Sequence, residues 1–218
     1  MSPWTHIPSS PPYVLECDHT FVEHFNQKRA KESTRIHTDL LPEPYFGNIN
    51  ARVVVLLLNP GVGTSDEQLH ATEEFSSALR SAYASTGGTK HLHLSAESQG
   101  AGSKWWARTC KALLEHLSKD QLADKLLTVE FSPYHSRSFG HADYRLPSQD
   151  FGFELVKQAM SNDALIVCMR GERFWYGAIP QLAKHGRLLH LRNPRSASLS
   201  PGNMDGYKEL LKALQVER

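Results

Sequence analysis

The chain is poor in the features that would assign it quickly. No apolar stretch in its 218 residues approaches the roughly 20 needed to cross a bilayer, which excludes a helical membrane protein. Cysteine is scarce: Cys17, Cys110 and Cys168 are scattered, odd in number and without a Cys-x-x-Cys pair. That excludes a disulfide framework, a cysteine-based zinc site and a four-cysteine iron–sulfur cluster, and it fits a reducing compartment. Cys168, inside an apolar run, reads as core. Charge of one sign is missing too. Lys+Arg 24 against Asp+Glu 23 leaves +1, so no global attraction to nucleic acid is built in. A local basic cluster, Lys28, Arg29, Lys31 and Arg35, is either a binding face or a solvated helix face. Met1-Ser2-Pro3-Trp4 has neither the basic region nor the apolar core of a secretory signal, so the expected location is cytoplasmic. Gly61-Val62-Gly63-Thr64 lacks the lysine of a phosphate-binding loop, and a Gly-x-Gly-x-x-Gly pattern fails at Asp66, so neither nucleoside triphosphate nor dinucleotide use is supported.

What is present is the composition of a globular α/β domain, 40% hydrophobic and 22% charged. The run Val53-Val54-Val55-Leu56-Leu57-Leu58 has the continuous apolar character of a strand buried on both faces, as in a parallel sheet covered by helices. It empties into Asn59-Pro60-Gly61. Ligands of open parallel sheets collect beyond the carboxyl ends of the strands, so Asn59 stands where chemistry is expected.

Strands are predicted at 51–58, 126–131, 164–169 and 187–191. Helices are predicted over 19–33, from the pair Asp66-Glu67 through Tyr83, from Trp105 through Leu117, over 151–160 and over 174–185 with a break near Gly177 to Pro180. A last helix is expected behind an Asn203 cap. Leu41 to Asn48, with two prolines, reads as an extended approach to the first strand. Residues 85–104 read as a long loop rich in Ser, Gly, Thr and His, in which His91 and His93 alternate without a third partner at metal-ligand spacing. The expected architecture is a three-layer α/β/α sandwich with a central, mainly parallel four-stranded sheet. It forms a single domain over 41–218, preceded by an extension over 1–40 that carries a probable helix.

Four strand ends then deliver Asn59-Pro60-Gly61, Ser132-Pro133-Tyr134-His135-Ser136, Arg170-Gly171-Glu172 and Asn193-Pro194-Arg195-Ser196 to one edge of the sheet. This set holds no acidic pair, no nucleophile elbow and no metal-ligand spacing. Leu57-Leu58-Asn59-Pro60-Gly61 together with Asn193-Pro194-Arg195-Ser196-Ala197-Ser198-Leu199-Ser200 resembles the two active-site motifs of the uracil-DNA glycosylase superfamily. The asparagine form of the first motif is similar to the mismatch-specific and thymine-DNA glycosylase branch. The Pro-Glu-Pro-Tyr-Phe-Gly-Asn lead-in is also similar to a bacterial glycosylase-like group of uncertain substrate. The resemblance covers about residues 41–214.

It implies a monofunctional DNA glycosylase that needs no cofactor or metal, acts on DNA as a monomer, and hydrolyses the N-glycosidic bond of a flipped uracil, mismatched or modified base. Asn59 would orient the attacking water through its carbonyl, since a neutral amide is no general base. Pro60 and Gly61 would let the backbone approach the flipped nucleotide. Phe131 or Tyr134 would stack on the base, and Phe131 reads equally as core. His135 would donate to a base or a phosphate. Asn193 occupies the place of a catalytic histidine and offers a neutral hydrogen bond to the leaving base. Arg170 would line the pocket or grip a phosphate, against the alternative of a buried Arg170–Glu172 network with Trp175 in the core. Ser196, Ser198 and Ser200 suit phosphate contacts or a turn before the last helix. The duplex wedge falls on Ser196 or Ala197, with Leu199 or Arg195 fitting only in a shifted register. No lysine lies in either motif, so lyase chemistry is not expected. Two other readings remain: a non-catalytic nucleic-acid or nucleobase-binding module, and a nucleoside hydrolase.

Overall fold

A computed structural model describes residues 2–85, 89–95 and 99–215. The parts of the predicted loop at 86–88 and 96–98 lie outside them. The fold is α/β around a five-stranded sheet of order β1-β3-β2-β4-β5: β1 Tyr45–Gly47, β2 Val53–Leu57, β3 Leu126–Glu130, β4 Leu165–Cys168 and β5 Leu188–His190. β2, β3, β4 and β5 run parallel, and β1 pairs antiparallel with β3, with Phe46 opposite Thr128. No helix among the described residues is long and apolar enough to cross a membrane.

The fifth strand corrects the expected count of four. Its segment was legible as extended chain, but its pairing depends on distant residues. Pro42 and Pro44 have no N–H to give, which suits an edge strand. The ladder is carried onward by Glu130 N–H donating to Pro44 O at 3.0 Å and Glu43 N–H to Pro133 O at 2.8 Å.

Alternation along β2 builds two cores. Val54 and Leu56 pack into one cluster with residues of α1 (His19–Lys28), α3 (Glu73–Ala84), α6 (Gln149–Ser161) and α7 (Glu172–Ala178). Val53, Val55 and Leu57 pack into the other with α4 (Gly100–Thr109), α5 (Lys119–Lys125) and α8 (Tyr207–Ala213). Helices therefore cover both faces of the sheet. The first cluster also takes in Trp4, Ile7, Val14, Leu15 and Ile36, so residues 2–40 pack into the core of the same domain.

Several helix boundaries differ from expectation for local reasons. The acidic segment after Ser65 divides into α2 (Asp66–His70) and α3, because Thr72 caps the second piece by accepting from Phe75 N–H at 3.3 Å. The helix read from Trp105 to Leu117 begins at Gly100 and ends at Thr109. Beyond it, successive turns keep Cys110, Leu113 and Leu117 at helical spacing and buried. α5 lies outside the predicted helices; Ser118 and Gln121 form a reciprocal capping box at its start. Asn203 does not cap α8, whose N-cap is Gly206, and has a different task at the last strand end.

Candidate active site

The chain passes from β2 to β3 on one side, then returns past β2 to β4 on the other. The carboxyl ends of β2 and β4 thus border the switch point of the parallel sheet, where a ligand crevice is expected. Asn59 lies two residues beyond β2 and is half-buried. Its side-chain nitrogen donates to Pro60 O and Ser136 O, each at 2.9 Å, and to Ser136 Oγ at 3.1 Å. Two main-chain carbonyls can be met only by the NH2 end of the amide, so the orientation is fixed. The carbonyl Oδ1 has no hydrogen-bond partner among the described residues and is not among the buried unpaired atoms. An oriented acceptor open to solvent can position a water. Pro60 is buried and Gly61 exposed, and a side chain at Gly61 would meet only open space.

Phe131 follows β3 and is half-buried. Its ring contacts Phe139 at 6.0 Å and Phe174 at 5.7 Å between centroids, and Phe139 contacts Phe174 at 5.2 Å. All three are partly exposed. Next to them an open depression of about 530 Å³ is lined by Leu58, Gly171, Glu172, Arg173, Phe174 and Tyr176. Gly171, at φ +75°, makes this wall possible, since a Cβ there would stand 2.2 Å from Leu58 Cδ2. Trp175 is buried and donates its indole N–H to Leu57 O at 2.9 Å, so it belongs to the core. Arg170 is half-buried and acts electrostatically on Glu130, while Glu172 lies 3.7 Å from His190 instead of pairing with Arg170.

Tyr134 and His135 turn inward. The Tyr134 phenol donates to Asp18 Oδ2 at 2.7 Å and accepts from Leu15 N–H, and its ring packs edge-on against Trp4 with no exposed surface. The N-terminal segment therefore occupies the space where a stacked base would need to lie against Tyr134. His135 is equally buried, with Nδ1 at 2.7 Å from Gly61 O and Nε2 at 3.1 Å from Leu41 O. It braces the Asn59 turn from behind and does not reach outward.

At the last strand end Asn203 organises the loop. Its side-chain nitrogen donates to the carbonyls of Asn193, Ser196 and Ser198, and its Oδ1 accepts from Asn193 N–H at 2.9 Å. Asn193 is exposed, its Oδ1 accepting from Arg195 N–H at 3.1 Å in a tight turn. Arg195 and Ser196 are exposed, while Ser198 and Ser200 are half-buried with hydroxyls 3.2 Å apart. Leu199 is fully buried and anchored to Thr109 O, which removes it as a wedge. β5 stands two strand spacings from β2, about 10 Å, so the Asn193 loop and Asn59 flank the ends of β4 rather than touching as neighbours.

Under the Asn59 turn lies a buried polar layer whose assembly no sequence spacing announces. Glu43 Oε1 is 3.4 Å from His70 Nε2, 3.2 Å from His93 Nε2 and 3.9 Å from His135 Nε2. Burial alone would raise the Glu43 carboxyl. The charges of His93 and His135 and hydrogen bonds from His70 and His93 outweigh it and hold the group well below the usual carboxylate range. Burial lowers His135, opposed by Glu43, and lowers His91 strongly with a further push from His93. Glu130, at the end of β3, moves the other way. Burial and the Glu43 charge raise it well above the carboxylate range against the pull of Arg170. Glu43, His70 and His135 offer ligand atoms all within 4.8 Å of one another, so this is also where a metal ion could be held. The available signals were weak: 12 histidines in the chain, an acid between two prolines, and an acid closing an apolar strand. His93 found its partners through folding, and His91 sits apart on Thr128 Oγ1 at 3.0 Å.

Comparison with protein-family models, with curated proteins and with solved structures gives no match for this chain.

Proposed function

We propose that the chain is a monofunctional DNA glycosylase, a cytoplasmic monomer that hydrolyses the N-glycosidic bond of a flipped uracil, mismatched or modified base. The observation that carries this reading is the locked amide of Asn59, with its NH2 spent on Ser136 and Pro60 and its carbonyl oxygen unpartnered among the described residues at the switch point of the sheet. The two motif resemblances at the first and last parallel strand ends support it.

In this reading the flipped base lies against the partly exposed Phe131, within the Phe139–Phe174 aromatic surface. Bond cleavage leaves an oxocarbenium-like sugar and a base carrying growing negative charge. Asn59 Oδ1 accepts a hydrogen bond from water and aims its oxygen at the anomeric carbon. Asn193 supplies a neutral amide donor to the base from the opposite loop. Arg195, Ser196, Ser198 and Ser200 meet the flanking phosphates, and Arg170 adds positive charge beside the site. Neither amide activates strongly, so the reaction depends on a base that departs readily.

A panel of oligonucleotides with uracil, mismatched thymine and modified bases tests this by release of free base and formation of an abasic site. Release that disappears in Asn59→Ala is expected; absence of release across the panel overturns the proposal for those substrates. A binding module without turnover is the second reading, favoured by two amides, Asn59 and Asn193, standing where stronger catalytic groups would act. Salt-dependent DNA binding without base release would select it, whereas faster cleavage of free nucleosides than of DNA would select a nucleoside hydrolase.

A further inference from the structure

The geometry points to a second site behind the Asn59 turn: a divalent transition-metal site of the zinc class, ligated by Glu43, His70 and His135, with His93 orienting the carboxylate. The side chains are nearly sealed, with relative exposures of 7% for Glu43, 4% for His70, 2% for His135 and 6% for His93. They come from four separate parts of the chain: the segment before β1, the end of α2, the turn before α4 and the loop after β3. Three ligand atoms within 4.8 Å define a volume of ionic size. Ligands about 2.0–2.2 Å from zinc stand roughly 3.3–3.6 Å apart at the tetrahedral angle. His70 Nε2 and Glu43 Oε1 already have that separation, 3.4 Å.

The hydrogen bonding supplies an independent reason. Both His135 nitrogens face carbonyls, and the shorter contact, Nδ1 to Gly61 O at 2.7 Å against Nε2 to Leu41 O at 3.1 Å, favours an N–H on Nδ1 and the lone pair on Nε2, the pattern of a metal-ligating imidazole held by a main-chain carbonyl. Nε2 then faces Leu41 O at 3.1 Å and Glu43 Oε1 at 3.9 Å. With the N–H at Nδ1, Nε2, Leu41 O and Glu43 Oε1 present three acceptors to one point, the arrangement that receives a cation. His93 Nε2 bridges the two Glu43 oxygens at 3.2 and 3.3 Å, the position of a donor that steadies a ligating carboxylate. Two imidazoles and one carboxylate suit zinc or another first-row ion better than magnesium or calcium, which prefer all-oxygen shells. Such an ion would clamp the Asn59-Pro60-Gly61 turn through His135 and Gly61, acting as a brace beneath it.

The test uses the full chain stripped of metal and titrated with Zn²⁺ or Co²⁺ by calorimetry, with the Co²⁺ visible spectrum and the unfolding temperature as further readouts. One equivalent per chain is expected. The Co²⁺ bands should show nitrogen and oxygen ligation without thiolate charge transfer, and Zn²⁺ should raise the unfolding temperature reversibly with chelator. His70→Ala and His135→Ala should lose the site, His93→Ala should weaken it by about 10–100-fold, and the surface variant His190→Ala should bind like the parent. Because His135 also braces Gly61 and Leu41 in the fold, His70→Asn and Glu43→Gln provide conservative losses of one ligand. Weak binding at several surface histidines, or a stoichiometric site that survives His70→Asn, overturns the assignment and leaves a protonated carboxylate–imidazole cluster. Base release enters none of these readouts, so this site and the glycosylase reading stand or fall separately.

Discussion

Asn59 Nδ2 donates to the main-chain and side-chain oxygens of Ser136, at 2.9 and 3.1 Å, tying the end of β2 to the loop after β3 across 77 positions of sequence. The same nitrogen donates to Pro60 O. An aspartate at this position would be a stronger base, yet it would present oxygen to two carbonyls. Asn59→Asp is therefore expected to destabilise the fold by about 1–3 kcal/mol at neutral pH. A carboxyl facing carbonyls has a raised folded pKa, so the deficit should shrink as pH falls and the acid protonates. Urea unfolding at pH 4 and pH 8 checks this; an equal deficit at both would remove the assigned amide orientation.

By sequence Tyr134, in a loop behind a proline, is the better surface candidate and Phe131 reads equally as core; the two should separate in experiment. Stacking on a base contributes about 1–3 kcal/mol, so Phe131→Ala should lower DNA affinity or base release by roughly 5- to 150-fold. Tyr134→Phe removes hydrogen bonds to Asp18 and Leu15 inside the core and should lower stability by about 1–2 kcal/mol while leaving base release unchanged. Reversal of this pattern in a paired release and unfolding assay would return Tyr134 to the site.

The parallel strands and the position of Asn59 were legible because continuous apolar runs and an abrupt polar end are local signals. Strand β1 was legible only as extended chain, because Tyr45 and Phe46 between Pro44 and Gly47 carry no period and their partners lie about 80 residues away. Tyr134 was misplaced because a proline beside it says nothing about Trp4 and Asp18, which arrive from the N-terminus to bury it. Residue type alone makes Asn203 a helix cap, whereas its three carbonyl partners are set by the fold of the preceding loop. Glu43, His70, His93 and His135 converge from four segments with no fixed spacing, and only tertiary packing gives that cluster away.

Two glycines with positive φ should respond differently to alanine. At Gly47, φ +95°, a Cβ would meet Leu126 O at 2.0 Å, and main chain at the start of β3, held between β1 and β2, cannot yield. At Gly171, φ +75°, the obstruction is the end of the Leu58 side chain, which can rotate. Gly171→Ala is expected to lose about 1–2 kcal/mol from the left-handed backbone, plus the strain of moving Leu58. Gly47→Ala should lose more and unpair β1. Hydrogen exchange at Phe46 and Thr128 amides, with urea midpoints, gives the order.

Stability should vary with pH through two buried groups of opposite sign. Burial pulls His141 down to about 4, against about 6.5 for a free imidazole. Its contribution is complete above pH 6.5 and is lost as pH falls toward 4, amounting to about 3 kcal/mol. Glu130 is raised well above the carboxylate range by burial, the Glu43 charge adding to it and Arg170 opposing. Its contribution is complete below about pH 4.3 and declines as pH rises toward the folded value, by up to about 1.4 kcal/mol per unit. Between pH 4.3 and 6.5 the two slopes oppose one another. Glu130→Gln is neutral at every pH and should steepen the rise of stability with pH in that window. His141→Gln should flatten or invert it, since only the other buried imidazoles then offset Glu130. Unfolding free energies at half-unit intervals from pH 4 to 8 resolve the two effects. Parallel pH profiles for Glu130→Gln and the parent would mean that Glu130 is ionised in the fold, and that Arg170 outweighs its burial.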